Sequence, residues 1–433
     1  MIGAGVAGLS AALELTRRGA AVIVLESSGQ VGGKVRISDV GGVPVDEGAD
    51  SMLRRVPYGV DLATEAGLEL ISPAVGAASV WTRGRLRPLP SGTVMGIPAD
   101  LAALARSEVL TASGLAQVPF DLVKPGSPVT EDISVGELVT RRLGREVVER
   151  LVDPLLGGVY AGRADLLSLE ATLPQLWAAV GSRRSLIAAA RAARGTPSPG
   201  PVFAGLAGGL GQLPPVLASG LDVRLNTTVR GLARTPEGWR VETGAATDPS
   251  YLDVKAVVLA VPAAPAARLL RSVVPVEDLA RVEYASVAIV TLVLDGSSPG
   301  TGSGYLIPAV EGRTTKAVTF TSRKWDRAGP AVVRASVGRY GEQVDLQRDD
   351  GELVAVVLAE LVAAVGPLPR LIDSRVTRWG GGLPQYAVGH VDMVRRLRAS
   401  LPSGLAVAGA AYDGVGVPAV AGSGRSAAGA VLG

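Results

Sequence analysis

The chain has 433 residues, 47% of them hydrophobic and 4% aromatic, which is enough for a sizeable core and two or three domains. Its 43 basic and 40 acidic residues nearly cancel, so the composition gives no indication of nucleic-acid binding. The absence of cysteine excludes disulfides and thiolate sites, and a single histidine excludes a multi-histidine metal site or a His-based triad. We therefore expect no metal, and neither a secretory signal nor a membrane-spanning apolar run is predicted.

The first 26 residues carry a dinucleotide-binding pattern. Gly3, Gly5 and Gly8 have G-x-G-x-x-G spacing. A helix pattern and then an apolar strand pattern fill residues 10–25, and the strand ends in Glu26. Such glycines allow a tight turn, a close approach to a pyrophosphate and close helix packing, and such an acid binds a ribose. A chance match in a glycine-rich chain is the weaker alternative, because helix, strand and acid all fit.

Only Met1 and Ile2 precede Gly3, where the motif normally follows a buried strand. We expect a shortened central strand and a segment missing upstream. After the acid comes VGGKVR at residues 31–36, and then VDEGADSM at residues 45–52. This order resembles the amine-oxidase-like flavoprotein superfamily, which favours FAD over NAD.

The rest of the chain alternates between helical and β patterns. Residues 88–101 are rich in Pro and Gly and predict a linker, residues 99–193 predict a largely helical block, and residues 196–200 predict a flexible loop. Further helices are predicted at residues 61–68, 208–217 and 352–365. Strands are predicted at residues 79–83, 85–89, 222–225, 239–243, 255–261, 287–294, 305–307, 317–320, 332–337 and 375–379. The end of the chain, residues 405–433, predicts a strand, a Gly-rich turn and a helix.

Several blocks in the same order resemble the protoporphyrinogen/coproporphyrinogen oxidase family, most of all its Gram-positive coproporphyrinogen III oxidase branch. The blocks beyond the first motif are EGADSMLRR (47–55), RLRPLPSGTVMGIP (85–98), RRLGREVVERLVDPLLGGVYAG (141–162), TFTSRKW (319–325), TRWGGGLPQYAVGH (377–390) and AGAAYDGVGVP (408–418). The resemblance implies an α/β fold, α+β overall, with a Rossmann-like FAD-binding domain, an antiparallel-sheet substrate domain and an α-helical lobe. The expected bounds are 1–75, 201–275 and 375–433 for the FAD-binding domain, 76–98 and 276–374 for the substrate domain, and 99–200 for the lobe.

The resemblance also implies a set of FAD contacts, carried over by position. They are Gly3, Gly5, Val6, Ala7 and Gly8 at the pyrophosphate, Glu26 and Ser27 at the ribose, Gly33 and Lys34 at the second turn, Gly48, Ala49, Asp50 and Ser51 beside the flavin, Val229 at the adenine, and Trp379, Val415, Gly416 and Val417 at the flavin ring. Both ends of the chain would then meet at the cofactor. Core packing for Trp379 and a solvated charge for Lys34 are the alternatives.

The implied reaction is the oxidation of coproporphyrinogen III to coproporphyrin III in haem biosynthesis, with O2 as acceptor and H2O2 as by-product. Because the flavin carries the redox step, no catalytic side chain is assigned. The substrate propionates suggest cationic contacts, since guanidinium groups pair well with carboxylates. The candidates are Arg54, Arg55, Arg323 and Lys324, with Gly157 and Gly158 leaving room for the macrocycle. For His390 we favour a structural hydrogen bond at a helix start over a role as catalytic base.

Three alternatives stay open: a protoporphyrinogen IX oxidase, another amine-oxidase-like flavin oxidase or desaturase, and a non-enzymatic FAD-dependent porphyrin-binding protein. The resemblance leaves open a transient contact with a downstream chelatase and a monomer or homodimer. It favours a cytoplasmic protein, with peripheral contact between the helical lobe and the inner face of the cell membrane left open.

Overall fold

A computed structural model describes residues 1–124, 126, 129–195 and 200–432. The loop predicted at residues 196–200 lies outside the described residues except for Gly200. No helix in the described ranges combines the length and the apolar character that crossing a bilayer requires.

A parallel sheet joins segments from both ends of the chain. Its strands, in spatial order around the N-terminus, are Asp222–Arg224, Ile23–Leu25, Val257–Leu259 and Leu405–Val407. Ile2 lies between the second and third of these and forms parallel bridges with Leu25 and Leu259. The predicted short central strand is therefore confirmed: the backbone of residues 1–3 holds the two halves of the sheet together.

The two terminal helices pack on each other beside this sheet. They are Val6–Arg17 and Val417–Leu432. The Ser10 hydroxyl donates a 2.8 Å hydrogen bond to the carbonyl oxygen of Ala421, across 411 residues of sequence. The prediction that both ends of the chain meet is confirmed.

Within the described residues, a seven-stranded sheet forms the second layer. Its strands in spatial order are Leu371–Pro384, Tyr284–Leu294, Ala331–Val337, Thr315–Phe320, Gly304–Leu306, Ala78–Thr82 and Arg85–Pro88. All neighbours are antiparallel except Gly304–Leu306 and Ala78–Thr82. The amphipathic helix Asp350–Val365 covers one face with Leu353, Val357 and Leu361.

A helical lobe with its own apolar core occupies most of residues 101–194. Its helices are Leu101–Ser107, Ala112–Gln117, Val135–Leu143, Arg145–Val147, Asp153–Tyr160, Leu169–Thr172, Pro174–Val180 and Leu186–Arg194, with a 3₁₀ turn at Val118–Leu122 and a π turn at Val148–Val152. The helix Val135–Leu143 has a capped start, since the Ser134 hydroxyl accepts a hydrogen bond from the Glu137 N–H at 3.1 Å.

Smaller elements complete the fold. Two hairpins pair Ile37–Val40 with Val43–Asp46 and Thr93–Val94 with Ile97–Pro98. One three-stranded sheet consists of Met52–Leu53, Phe203–Leu206 and Leu70–Ile71. A second consists of Gly231–Thr235, Gly238–Ala245 and Asp248–Val254. The other helices are Pro57–Glu65, Leu213–Ala218, Ala263–Leu270, Glu277–Ala280, Thr321–Trp325, His390–Ser400 and Ala410–Asp413, with 3₁₀ turns at Leu210–Gln212, Ala309–Glu311 and Val344–Gln347.

Three differences between the sequence prediction and the structure have a clear physical reason. The first helix starts at Val6 rather than at residue 10, because glycine and alanine near its start hide the helical pattern. The linker predicted at residues 88–101 contains the hairpin Thr93–Val94 and Ile97–Pro98. The strand predicted at residues 375–379 runs from Leu371 to Pro384, because its polar residues and three glycines are held by pairing with a long apolar neighbour.

Candidate flavin and substrate site

The first glycine motif lies where the short central strand turns into the helix Val6–Arg17. Gly3 has φ of +99°, and a Cβ there would lie 2.5 Å from the carbonyl oxygen of Ala260. A Cβ on Gly8 would lie 1.9 Å from the carbonyl oxygen of Gly3, so close packing requires both glycines. Gly5 differs, because its φ of −70° suits any residue and a Cβ would meet no described heavy atom within 4 Å. The fold does not require glycine at this position, whereas a bound diphosphate would.

The start of this helix is suited to an anion. Gly5 is the N-cap residue and has no side chain, and the first turn, VAGL, contains no acid. Val6, Ala7 and Gly8 thus supply N–H groups that need an acceptor, at the positive end of the helix dipole. This is the usual geometry of a phosphate site.

Glu26 follows the strand Ile23–Leu25 and lies beside the glycine motif. One of its carboxylate oxygens accepts a hydrogen bond from the Ala4 N–H at 2.8 Å. The other accepts from the N–H and the hydroxyl of Ser28, both at 2.8 Å, and from the Ser27 hydroxyl at 3.4 Å. The oxygen that Ala4 contacts retains capacity for another donor, as binding a ribose hydroxyl requires.

Val229 is connected to the same corner of the site. The Thr227 N–H donates to the carbonyl oxygen of Glu26 at 2.7 Å, and the Asn226 N–H donates to that of Ser28 at 3.0 Å. Val229 itself is buried. The segment predicted to contact adenine therefore lies next to the acid predicted to hold the ribose.

The second glycine turn, which includes Gly33, packs on the first motif. The Gly32 N–H donates to the carbonyl oxygen of Ala4 at 2.8 Å. The following residue, Lys34, has an ammonium group without an acidic partner among the described residues, and burial lowers its pKa. A Cβ on Gly48 would lie 2.2 Å from the carbonyl oxygen of Lys34. The GADS segment therefore runs directly against the second turn.

Trp379 closes this corner from the seven-stranded sheet. Its indole N–H donates to the carbonyl oxygen of Glu47 at 3.0 Å. The guanidinium carbon of Arg36 lies 5.5 Å from the centroid of the ring. A Cβ on Gly48 would lie 3.7 Å from the ring. The ring is half-buried and joins its own strand to two N-terminal segments, at Arg36 and at residues 47–48.

The loop Ala49, Asp50 and Ser51 is fixed by a buried ion cluster. The Asp50 carboxylate lies 3.2 Å from the Lys324 ammonium and 3.5 Å from the guanidinium of Arg334. Burial raises the pKa of Asp50, but the two cations and a hydrogen bond from Ser51 outweigh it and bring the pKa to about 2. Arg334 also donates to the carbonyl oxygen of Gly48. This cluster attaches the loop to the sheet.

The C-terminal contribution is the turn before the last helix. Gly416 has φ of +102°, and a Cβ built on it would have no heavy atom of the described residues within 4 Å. Val417 begins the helix, whose first turn is closed by a 3.1 Å hydrogen bond from the Val420 N–H to the carbonyl oxygen of Gly416. Val415 packs against the core of the helical lobe. The N–H groups of this turn are therefore available at a second helix N-terminus.

His390 is the first residue of its helix, as predicted. Its ring stacks on Tyr386 with centroids 4.5 Å apart. Its Nε2 is buried and has no partner in the described part of the chain. Burial lowers the pKa of His390 to about 4, so the ring is neutral near neutral pH and lies in the core.

A row of half-exposed side chains crosses the seven-stranded sheet on the face that points to this site. The pairing places Leu306, Ala317, Ser336, Ile289 and Thr377 side by side on five adjacent strands. The next pair along, Thr319 and Arg334, lies on the same face, and Arg334 reaches the ion cluster of Asp50. The row is therefore a flat and largely uncharged wall next to the residues predicted to contact flavin.

The helix Asp153–Tyr160 lies opposite this wall. Gly157 is buried and Gly158 is exposed. A Cβ on Gly158 would lie 3.6 Å from the Leu306 side chain, and one on Gly157 would lie 3.7 Å from the carbonyl oxygen of Gly162. Any larger side chain at Gly158 would extend toward the wall.

The four cations suggested for substrate propionates have different surroundings. Arg54 is exposed, and its backbone N–H donates to the carbonyl oxygen of Val202 at 2.9 Å. Arg55 is exposed and donates to Gln175 at 3.2 Å, and Arg323 donates to the carbonyl oxygen of Ser298 at 3.0 Å. The Lys324 ammonium is held by Asp50 and Ser51. Arg54 is the one of the four whose side chain makes no hydrogen bond or ion pair in the described ranges.

Sequence reasoning missed three features of the site. Arg36 and Arg334 were not recognised, and neither was the row of half-exposed side chains. Arg36 follows Lys34 by two residues, so strand periodicity could have placed both on one side of the segment. The row could not be found, because it depends on the register of five strands.

Comparisons with known proteins show the family to which the chain belongs. Residues 6–432 match a family described as flavin containing amine oxidoreductase. The coproporphyrinogen III oxidase of Mycobacterium tuberculosis is 36% identical, covering 100% of this chain and 96% of its own, and that of Bacillus subtilis is 31% identical, covering 99% and 96%. A crystal structure described as "Putative protoporphyrinogen oxidase" from Exiguobacterium sp. 255-15 superposes with a TM-score of 0.88 at 31% identity, covering 99% of this chain and 97% of that one.

The chain therefore belongs to the flavin-containing amine oxidoreductase family, and it is an oxidoreductase with FAD as its cofactor. Within that family it is similar along its whole length to proteins named coproporphyrinogen III oxidase. The family resemblance, the fold class and the cofactor predicted from sequence are confirmed.

Proposed function

We propose that the protein oxidises coproporphyrinogen III to coproporphyrin III in haem biosynthesis, with O2 as electron acceptor and H2O2 as by-product. The observation that supports this most is the similarity over the whole chain to relatives named coproporphyrinogen III oxidase. The flat, largely uncharged row of half-exposed side chains on the sheet, which Gly158 adjoins at Leu306, would also suit one face of a flat macrocycle.

The residues of the two termini would hold the cofactor. The N–H groups at residues 6–8 bind the diphosphate, and Glu26 accepts hydrogen bonds from the ribose. The turn at Val415 and Gly416 offers N–H groups to the flavin ring, with Trp379 beside it. When bound, flavin accepts two electrons at a time, so removal of six electrons and six protons from a porphyrinogen takes three rounds. The chain then has to orient the substrate and exclude water, and it needs no acid–base pair of its own.

Arg54 is our candidate for the residue that binds a substrate propionate. An exposed guanidinium without an acidic neighbour can pair with a carboxylate on two N–H groups. Arg54→Ala should raise KM by about tenfold, the loss of one charge-assisted pair, with kcat within about twofold. Arg281→Ala removes a similarly exposed charge next to Asp278 and should leave KM unchanged. Equal KM values for the wild type and Arg54→Ala would remove Arg54 from the substrate site.

Protoporphyrinogen IX is the second candidate substrate, because the Exiguobacterium structure is described as an oxidase of protoporphyrinogen. Side-by-side assays of porphyrin fluorescence and H2O2 with the two porphyrinogens separate the candidates. The proposal predicts a kcat/KM at least tenfold higher for coproporphyrinogen III, whose two extra carboxylates can meet cations that vinyl groups cannot. A preference for protoporphyrinogen IX would contradict it, and turnover without H2O2 would contradict O2 as the acceptor.

We further propose a cytoplasmic location with peripheral binding to the inner face of the membrane. Phe120, Leu122 and Val123 are exposed at the edge of the helical lobe. The adjacent exposed cations are Lys124, Arg141, Arg183 and Arg184. The Lys124 ammonium donates to the carbonyl oxygen of Arg141, so these groups form one surface. Apolar side chains beside basic ones suit an anionic bilayer.

Co-sedimentation with vesicles tests this location. The wild type should sediment with vesicles that contain phosphatidylglycerol, whereas the double variant Phe120→Ser/Val123→Ser should stay in the supernatant. Neither protein should sediment with vesicles of phosphatidylcholine. Tyr251→Ser removes an exposed ring on a strand of the three-stranded sheet and serves as the control. Equal sedimentation of the wild type with and without vesicles would contradict peripheral binding.

A further inference from the structure

The charges around the second glycine turn do not balance. In the described part of the chain, five cations meet three acids here: Lys34, Arg36, Lys324, Arg334 and Arg375, against Asp46, Glu47 and Asp50. Glu47 pairs with Arg375 at 2.9 Å, and Asp50 is held by Lys324 and Arg334. Asp46 accepts a hydrogen bond from the Gly211 N–H at 2.8 Å. Neither Lys34 nor Arg36 forms an ion pair in the described ranges, and with five cations against three acids the region has excess positive charge.

Arg36 is held in a defined place despite this excess. Its carbonyl oxygen accepts a 2.9 Å hydrogen bond from the Glu47 N–H. Its guanidinium lies against the Trp379 ring, and its Nε is buried without a hydrogen bond among the described residues. Burying a donor without a partner costs free energy. Such a donor is expected where a ligand completes the site.

Lys34 and Arg36 flank Val35, which is buried in the apolar core, and both side chains are half-buried. Lys34 lies nearer the glycine motif and its diphosphate position. Arg36 lies nearer Trp379, at the flavin end of the site.

We propose that Arg36 is a positioning residue that raises the reduction potential of the bound flavin. Its guanidinium fixes the Trp379 ring and places a positive charge beside the cofactor, where reduction adds negative charge. This inference rests on the proposed placement of the flavin ring at Trp379. Flavin electronics respond to charge near the ring, and a cation in a half-buried site is weakly screened. Arg36 stabilises the reduced flavin more than the oxidised flavin. Loss of Arg36 should therefore change the reduction potential more than it changes the affinity for oxidised FAD.

The midpoint potential of bound FAD in the holoenzyme, measured by dye-coupled reduction, tests the inference. Arg36→Gln should shift the potential to more negative values while FAD affinity changes by less than about threefold. Arg36→Lys keeps the charge and should restore most of the wild-type potential. Arg378→Gln is the matched control: Arg378 is on the strand of Trp379, but its side chain pairs with Asp350 on the covered side of the sheet.

Each outcome decides the inference. A negative shift in Arg36→Gln that Arg36→Lys reverses supports it. An unchanged potential in Arg36→Gln, an equal shift in Arg378→Gln, or loss of FAD from a folded Arg36→Gln protein overturns it, since the last would make Arg36 a binding residue only. A wild type that holds FAD with a measurable potential but oxidises no porphyrinogen would overturn the proposed function and leave this inference intact.

Discussion

Replacing two glycines of the first motif by alanine should have opposite effects, because only one of them is required by the fold. A Cβ on Gly8 would lie 1.9 Å from the carbonyl oxygen of Gly3, where contacts under 3.0 Å essentially never occur. The helix and the strand must then separate by about 1 Å, at a cost near the upper end of overpacking, about 3 kcal/mol. A Cβ on Gly5 meets no described atom within 4 Å at an ordinary φ. Gly5→Ala should therefore leave the stability of the apoprotein within about 0.5 kcal/mol of the wild type, because the less flexible unfolded chain offsets the loss of a favourable N-cap glycine.

Gly5→Ala, which spares the stability of the apoprotein, should weaken FAD binding. The methyl group of Gly5→Ala occupies the space above the helix N-terminus, so the FAD dissociation constant should rise by about 10- to 100-fold, or roughly 1.4–2.8 kcal/mol. Denaturant unfolding of the apoproteins gives stability, and titration with FAD gives affinity. Gly76→Ala, in an exposed loop without positive φ, is the control for both. A Gly5→Ala protein that binds FAD as tightly as the wild type would refute the placement of the diphosphate.

Three further predictions concern the ion cluster, the buried histidine and the substrate space. Asp50→Asn leaves Lys324 and Arg334 buried without their acid and should destabilise the apoprotein by about 3 kcal/mol in denaturant unfolding. Asp253→Asn removes an acid from an exposed ion pair and should leave the stability of the apoprotein unchanged, so equal losses in the two variants would contradict the cluster. The folded-state pKa of His390 is about 4, below the usual 6.5, so its contribution to stability is present above pH 6.5 and is lost as the pH falls toward 4. His390→Gln should remove about 3 kcal/mol of this pH dependence of the unfolding free energy. Identical pH profiles of the wild type and the variant would contradict the burial of a neutral ring. Gly158→Phe should abolish turnover while FAD stays bound, and full activity would show that the macrocycle lies elsewhere.

The sequence was sufficient for the parts of this protein that depend on local pattern. The glycine motif and Glu26 are close in sequence, and their chemistry is set by spacing, so the turn, helix and acid could be predicted together. The Gly84 hairpin and the cap at Ser134 were predictable for the same reason. The family resemblance supplied the cofactor.

What could not be predicted depends on contacts between distant segments. Asp50 meets Lys324 across 274 residues, and no local pattern marks the two as partners. The stacking of Arg36 on Trp379 and the row from Leu306 to Thr377 require the sheet register. Register is set by tertiary packing and by bulges such as that between Ala285 and Val287, which periodicity in one segment does not reveal.

The central claim is that FAD bound at the N-termini of the two terminal helices takes electrons from coproporphyrinogen III. Anaerobic mixing of the purified holoenzyme with coproporphyrinogen III tests it most directly, with flavin absorbance and porphyrin fluorescence followed together. The account predicts that the yellow absorbance bleaches as coproporphyrin emission rises, and that admitting O2 restores the colour with release of H2O2. Flavin that stays oxidised while the porphyrinogen is consumed no faster than in buffer would contradict it.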